Sequence, residues 1–424
     1  MSKYISMNNK DEGCDEMLIA AMDDGRLISL VSPDFTRSEL NLLRNRKRFY
    51  CPVCRSPVRL RLGSKKKWHF SHHPKYPCII ETEPESTAHL SGKEDLFQWT
   101  KANGRTPELE HYIPEIHQRP DIYLPGIHPI ALEYQCSTIS EEKLHARTCG
   151  YMSVGIRPIW ILGGARQKKI RCLARLSGFE SQTIQFSNRN APSHPFFSPY
   201  YVSYYYPAEK RICFAGHLHP VSKTMYITQE INHMIPSARP HQLIMPALPF
   251  SPESFKQDWA DCKRRYRLSV PSHLSREEYW LRQQAYRLRM NYSGFPSFVG
   301  LPHRDYIHFS LPPCLWQMWI YFVMTHSPPD LWLTPDMLMR TGKIGGTETV
   351  FLRRSLPLCP KRSLAGVIKT YLEQLVKLNK AEGKEGAYRF RASRIAGDLP
   401  LDQLLKQDRL VLDSLERVHG QMNK

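Results

Sequence analysis

Between Pro84 and about Ser187 helical and strand patterns alternate, which confines this segment to an α/β unit whose strands share a sheet and whose helices cover it. A helix from about Ser86 to Lys101 precedes strands at Pro107 to Ile113, Asp121 to Leu124 and Ile130 to Cys136. A helix from Ser140 to Met152 and a strand at Pro158 to Leu162 complete the order αβββαβ. Before this unit, two apolar runs between Met17 and Leu30 flank the turn signal Asp23-Asp24-Gly25 and predict a hairpin, followed by a basic helix from Ser38 to Lys47. After it, Asn188 to Pro199 is rich in proline, serine and asparagine and has linker composition.

Beyond that linker, Tyr200 to Tyr206 is expected to be a strand, either buried or a stacking surface for bases. Ser275 to Glu278 has the capping-box pattern of a helix running to about Met290, and Leu364, Ile368, Tyr371, Leu375 and Leu378 line one side of another. The expected layout is therefore an N-terminal hairpin and metal module over residues 1–84, the α/β domain over 85–187, and a mainly helical region over 188–424. The basic segment Lys263-Arg264-Arg265 in that last region is a candidate contact for DNA or a partner, or a solvated face.

Asp121 begins one predicted strand, Glu133 lies in the next, and Pro125-Gly126 supplies the turn that brings them together. Glu133 and Gln135 share a face of their strand while Tyr134 points away. Two hard carboxylates at such a place suit Mg²⁺ or Mn²⁺, and the chemistry they support is phosphodiester hydrolysis. A basic group is needed to stabilise developing charge, and Gln135 cannot supply it. Lys143, Arg147 and Tyr151 recur every four residues on the helix after the third strand, and His89 and Lys93 are four apart on the first helix. Glu110, on the first strand, is placed to join the metal site as a third acid. Solvated helix faces and ordinary ion pairs are the bland alternatives for these residues.

A second constellation, Cys51-Pro-Val-Cys54 followed by His69-Phe-Ser-His72, has the spacing C-x2-C-x14-H-x2-H. Thiolate and imidazole donors suit Zn²⁺, and four protein ligands would make the site structural. Cys78 competes for a place among them. Arg59, Arg61, Lys65, Lys66 and Lys67 lie between the ligand pairs, where they would contact phosphate or form a solvated basic face.

The chain of 424 residues carries 59 Lys and Arg against 40 Asp and Glu, a formal charge of +19 that favours a polyanion as partner. The longest apolar run, Leu315 to Met324, is too short to span a bilayer and reads as a buried helix, so no membrane insertion is expected. Met1 to Cys14 lacks the basic-then-apolar layout of a signal peptide, and eleven cysteines without a regular framework fit a reducing compartment. Both point to the cytoplasm.

In Phe49-Tyr50-Cys51-Pro-Val-Cys54, His69-Phe-Ser-His72, His89 with Lys93, Gln118-Arg119-Pro120-Asp121-Ile122, Glu133-Tyr134-Gln135-Cys136-Ser137, Arg147, Tyr151 and Ile159 to Gly163, the chain resembles the bacterial competence proteins of the CoiA type. The resemblance covers about Met17 to Gly163. It implies a restriction-endonuclease-like αβββαβ core of the PD-(D/E)xK type, a zinc-finger-like N-terminal segment and a variable C-terminal region. It also implies a metal-dependent nuclease acting in natural transformation on single-stranded or branched DNA, alongside recombination and competence proteins. Asp121 and Glu133 would bind the metal, with Gln135 at the usual lysine position. A DNA-binding recombination accessory that does not cut, and an RNA-processing nuclease, are the rival readings.

Overall fold

The computed structural model describes residues 16–31, 35–64, 67–73, 75, 78, 86–187, 189, 192–269, 273–344, 348–391 and 399–422. Lys65 and Lys66 of the expected basic tract lie outside the described residues. The chain forms two compact units, the first reaching Gln167 and including Ser203–Cys213 and Asn232–Ile244, the second formed by Lys168–Val202, Phe214–Ile231 and Met245–Lys424.

The first unit begins with β1 (Glu16–Met17), β2 (Ile19–Met22), β3 (Leu27–Ser29), α1 (Arg37–Arg46), β4 (Phe49–Tyr50), β5 (Pro57–Arg61) and β6 (His69–His72). The six strands form one sheet in the order β1-β6-β5-β4-β2-β3. Period-two patterning orients them. In β5, Val58 and Leu60 point into a core with Ile28, Phe49 and Phe70, while Arg59 and Arg61 face outward. Thr36 and Glu39 form a reciprocal capping box that starts α1.

There follow α2 (Thr87–Ala102), β7 (Glu108–Leu109), β8 (Ile122–Leu124), β9 (Ile130–Gln135), α3 (Glu141–Ser153) and β10 (Arg157–Gly163). β7, β8 and β9 are antiparallel neighbours, and α3 is the crossover that sets β10 parallel to β9, with Glu133 opposite Trp160. β10 is buried from Pro158 to Gly163, as a strand paired on both edges and covered by helices should be. The strand expected over Pro107 to Ile113 is reduced to two residues because Glu110 takes a left-handed φ of 50°.

The free edge of β10 pairs in parallel with Ser203–Tyr205 of the strand Tyr200–Tyr206, and the Trp99 indole N–H donates to the Ala238 carbonyl at 2.9 Å. The first compact unit thus includes segments on both sides of the expected boundary at 187/188. The described residues 192–199 of the expected linker form neither helix nor strand, and the first unit takes up Ser203–Cys213 to complete its sheet.

In the second unit, Leu173–Arg175 pairs antiparallel with Met225, Tyr226 and Ile227. The strands Arg211–Pro220 and Met225–Met234 were not expected, so residues 200–234 are mainly β. Helices Pro252–Leu268, Arg276–Arg287, Pro313–His326, Pro335–Thr341, Leu364–Lys377 and Leu401–Met422 follow. Their apolar faces meet around Trp316, Ile320, Ile368 and Tyr371. Among the described residues no helix is long and apolar enough to cross a membrane. Two expectations for nucleic-acid contact change here. Tyr200, Tyr201, Tyr204 and Tyr205 are all at most 1% exposed, so their rings are core and not a stacking surface. Lys263 is buried against Asp408 at 2.8 Å, beside Arg267, which makes that part of the basic segment an internal tie between two helices.

His219 is wholly buried against Phe255, and its Nε2–H donates to the Phe196 carbonyl at 2.9 Å. Burial pushes its imidazole down to about 3. The unfolded chain, with an ordinary imidazole, binds the proton first, so stability is full above the unfolded value and lost as pH falls toward the folded one. Urea unfolding followed by tryptophan fluorescence should show His219 contributing a loss of up to about 1.4 kcal/mol per pH unit between pH 6 and 4. A His219→Gln variant should lose that part of the slope, and an unchanged slope would contradict the assignment.

Candidate active site and metal cluster

Asp121 immediately precedes β8, and the register Ile122 to Leu132 sets it beside Glu133 of β9. The Tyr134 backbone N–H donates to Asp121 Oδ2 at 2.8 Å. Asp121 Oδ1 faces α2, 3.2 Å from Lys93 Nζ and 3.4 Å from His89 Nε2. Lys93 is 1% exposed and pairs also with Glu110 Oε1 at 2.9 Å. The α2 backbone can lie this close to β9 because Gly92 leaves room for the Tyr134 ring. A Cβ there would stand 2.2 Å from Tyr134 Cε1.

Glu133, 2% exposed, is held from α3, where its Oε1 accepts from Arg147 Nη2 and from the Tyr151 hydroxyl, each at 2.5 Å. Arg147 also lies over the Trp160 ring, 5.4 Å from its centroid, and the Trp160 N–H is tied to Thr148 at 3.0 Å. The i, i+4 spacing of Arg147 and Tyr151 thus acts on one carboxylate.

The two acids differ in protonation. Burial opposes ionisation of Asp121, but Lys93, His89 and the Tyr134 N–H outweigh it and hold the carboxyl well below its usual range. Burial dominates at Glu133, and although Arg147 opposes it, the nearby Asp121 charge adds to it and the carboxyl is pushed up to about 7. The same burial thus acts on two acids with different neighbours, and their carboxyls are shifted in opposite directions.

Of the other expected site residues, Gln135 turns its amide toward Ser137, donating to Oγ at 2.8 Å and to the carbonyl at 3.2 Å. Lys143 is half-buried in the first turn of α3, where its backbone N–H is capped by Ser140 Oγ at 3.1 Å. Glu110 is buried, and besides Lys93 it accepts the Leu18 backbone N–H on both oxygens, at 3.1 and 3.2 Å. Burial opposes its ionisation and Lys93 more than compensates, so its carboxyl is lowered. The cost of a left-handed glutamate is about 1–3 kcal/mol, which the surrounding contacts must offset.

The side chains of Cys51, Cys54, His72 and Cys78, a group that could hold a metal ion, converge with all four donor atoms within 4.8 Å of one another. Cys54 Sγ is 3.3 Å from His72 Nε2, and Cys51 Sγ is 4.0 Å from Cys78 Sγ. This is the spacing of ligands about 2.3 Å from a shared tetrahedral ion, and the donors suit Zn²⁺. Among the described residues it is the one such convergence of three or more ligand side chains. His69 is turned elsewhere, with Nδ1 on the Lys67 carbonyl at 2.7 Å and Nε2 3.8 Å from Glu16. The reason is strand geometry: residues three apart on β6 project to opposite faces, so His69 and His72 cannot share one centre. Cys51 and Cys54 are gathered by a turn in which Arg55, at φ 60°, donates its N–H to the Cys51 carbonyl at 3.1 Å. Nearby Lys67 pairs with Glu94.

Three family models match the chain: "Competence protein CoiA, N-terminal domain" over residues 33–81, "nuclease-like domain" over 85–248 and "C-terminal domain" over 255–382. The nuclease-like match runs past residue 187, as does the first compact unit. "Competence protein CoiA" of Bacillus subtilis (strain 168) is 32% identical over 294 residues, covering 68% of this chain and 75% of that protein. No solved structure matches the chain.

The cluster geometry makes a stoichiometric prediction. Metal analysis of the purified full chain should find one Zn²⁺ per chain, lost in Cys78→Ser and kept in His69→Ala. The reverse pattern would return His69 to the ligand set.

Proposed function

Because the chain belongs to the family of CoiA competence proteins, we propose that it is a Mg²⁺- or Mn²⁺-dependent deoxyribonuclease that processes DNA during natural transformation, on a core of the restriction-endonuclease type. What supports this most is the disposition of Asp121 and Glu133 on adjacent strands, with Lys93 supplying at 3.2 Å the positive charge that Gln135 cannot. The carboxylate oxygens are hard donors of the kind Mg²⁺ and Mn²⁺ take, and two protein ligands leave room for water and phosphate. Asp121 and Glu133 would hold the ion, which when bound lowers the pKa of water and neutralises charge on the phosphate.

The chain's own groups do the rest. Lys93 favours the ionised form of Asp121 and adds its positive charge to the site from behind that carboxylate. Tyr151 fixes the Glu133 carboxyl through its hydroxyl. Arg147 neutralises Glu133 in its anionic form and offers a guanidinium for a phosphate oxygen. Gln135 orients rather than charges the site. The Cys51, Cys54, His72 and Cys78 set would bind Zn²⁺ structurally. The excess of basic residues supplies a salt-sensitive grip on single-stranded or branched DNA in the cytoplasm, in company with recombination proteins.

One observation favours a second reading. Glu133 is already matched by Arg147 and Tyr151, as it would be in a nuclease-like fold that grips DNA without cutting it. A cleavage time course on single-stranded, double-stranded and branched DNA, and on RNA, with Mg²⁺ or Mn²⁺ separates the two. Asp121→Ala and Glu133→Ala should each lower the rate by roughly a hundredfold or more while DNA binding persists. If wild type cuts nothing and all three proteins bind alike, the accessory reading stands instead, and preferential cutting of RNA would move the substrate class.

A further inference from the structure

The first unit contains a chain of contacts that neither the carboxylate site nor the Cys/His cluster explains by itself. Leu18 sits between β1 and β2 of the N-terminal sheet. Its carbonyl accepts the Leu30 N–H at 2.9 Å, and its own N–H is given to the two oxygens of Glu110, 92 residues away, at 3.1 and 3.2 Å. Glu110 is locked to Asp121 twice. Its backbone N–H donates to the Asp121 carbonyl at 3.0 Å, and its side chain holds Lys93 at 2.9 Å, which holds the Asp121 carboxylate at 3.2 Å. On the other side of Leu18, β1 pairs with β6 through Glu16 with Ser71 and Met17 with Phe70, and the next residue of β6 is His72 of the cluster.

We propose that the N-terminal module is part of the active site, and that Glu110 is the positioning residue through which it acts. The place of Leu18, set by a β1–β6 pairing that the Cys51, Cys54, His72 and Cys78 cluster anchors, fixes Glu110, and Glu110 fixes Lys93 against Asp121. This rests on the nuclease reading for its catalytic consequence, though not for the coupling itself.

Three features carry the proposal. Glu110 is buried with its oxygens occupied by Leu18 and Lys93, which argues against the expectation that it joins the metal as a third acid. It adopts a left-handed backbone at φ 50°, a conformation unfavourable to glutamate that persists only where surrounding contacts impose it. Lys93 is 1% exposed, so a shift of either carboxylate would leave a buried ammonium short of a partner, and its position is tightly constrained by both. A contact serving only to pack the module would not need to end on an ion pair with Asp121.

The test uses the full-length protein as wild type, Glu110→Gln, Glu110→Ala, His72→Ala, Cys78→Ser and the Glu110→Ala/His72→Ala double variant. Two quantities are read on each: hydrogen exchange of the Leu18 amide, and kcat for DNA cleavage with Mn²⁺ beside the DNA Kd. Glu110→Ala and either cluster variant should speed Leu18 exchange by about tenfold or more and lower kcat by about tenfold or more with Kd nearly unchanged. The double variant should be no worse than the poorer single one, because both cut the same chain of contacts. Glu110→Gln keeps an acceptor for Leu18 but removes the negative charge that faces Lys93, so exchange should stay near wild type while kcat falls.

Leu18 exchange and kcat unaltered in His72→Ala and Cys78→Ser, or multiplying losses in the double variant, would overturn the proposal. Should wild type fail to cut, the nuclease reading falls by itself. The coupling is then still decided by whether the cluster variants loosen Leu18.

Discussion

A buried ammonium sets the terms for the first unit. Removing Lys93 from water costs several kcal/mol unless its charge is met closely and its protons are accepted. Glu110 and Asp121 do both, so three separate segments must arrive together: α2, the left-handed turn after β7, and the entry to β8. Gly92 makes the meeting sterically possible by letting α2 settle onto Tyr134, whose backbone N–H in turn holds Asp121. Packing and electrostatics are thus one constraint here. The same residues that seal the core hold the Asp121 carboxyl below its usual range, while Glu133 is held from α3 by Arg147 and Tyr151.

Much of this was legible in the sequence. α2, β8, β9, α3 and β10 fall close to their expected bounds because each has a clear period and a turn or cap signal at its ends. The acids were readable because a Pro-Gly turn separates two short strand patterns. What local pattern could not show was long-range choice. Lys93 and Lys143 both lie on helix faces with the right spacing, and only the fold decides which one is set between carboxylates. His69 and His72 look equivalent as ligands until the segment is known to be a strand, where three residues of separation is the wrong parity. The parallel neighbour of β10 lies 40 residues further on, past a segment that reads as a linker. Glu110 gives no local sign of a left-handed backbone, since glutamate has no preference for it.

The basic balance also looks different once the contacts are known. Lys93, Arg147, Lys256, Lys263 and Arg267 are each paired with acids inside the protein. Such pairs remove charges of both signs and leave the protein with a basic excess, and among the described residues Arg59, Arg61, Arg105 and Arg287 are exposed. The cations nearest the carboxylates are therefore tuned by their partners, whereas the surface ones supply an unspecific and salt-screened attraction.

The parallel pairing of Ile161, Leu162 and Gly163 with Ser203, Tyr204 and Tyr205 has a bearing on how the protein is made. On the ribosome, β10 emerges with one edge uncovered, and its partner follows only after about 40 more residues, a delay of roughly two to eight seconds at ordinary elongation rates. For that interval a nascent chain exposes an apolar strand edge of the kind that pairs with other chains. The order in which the sheet can close is thus set by the chain, with β10 complete on one side before its second neighbour exists.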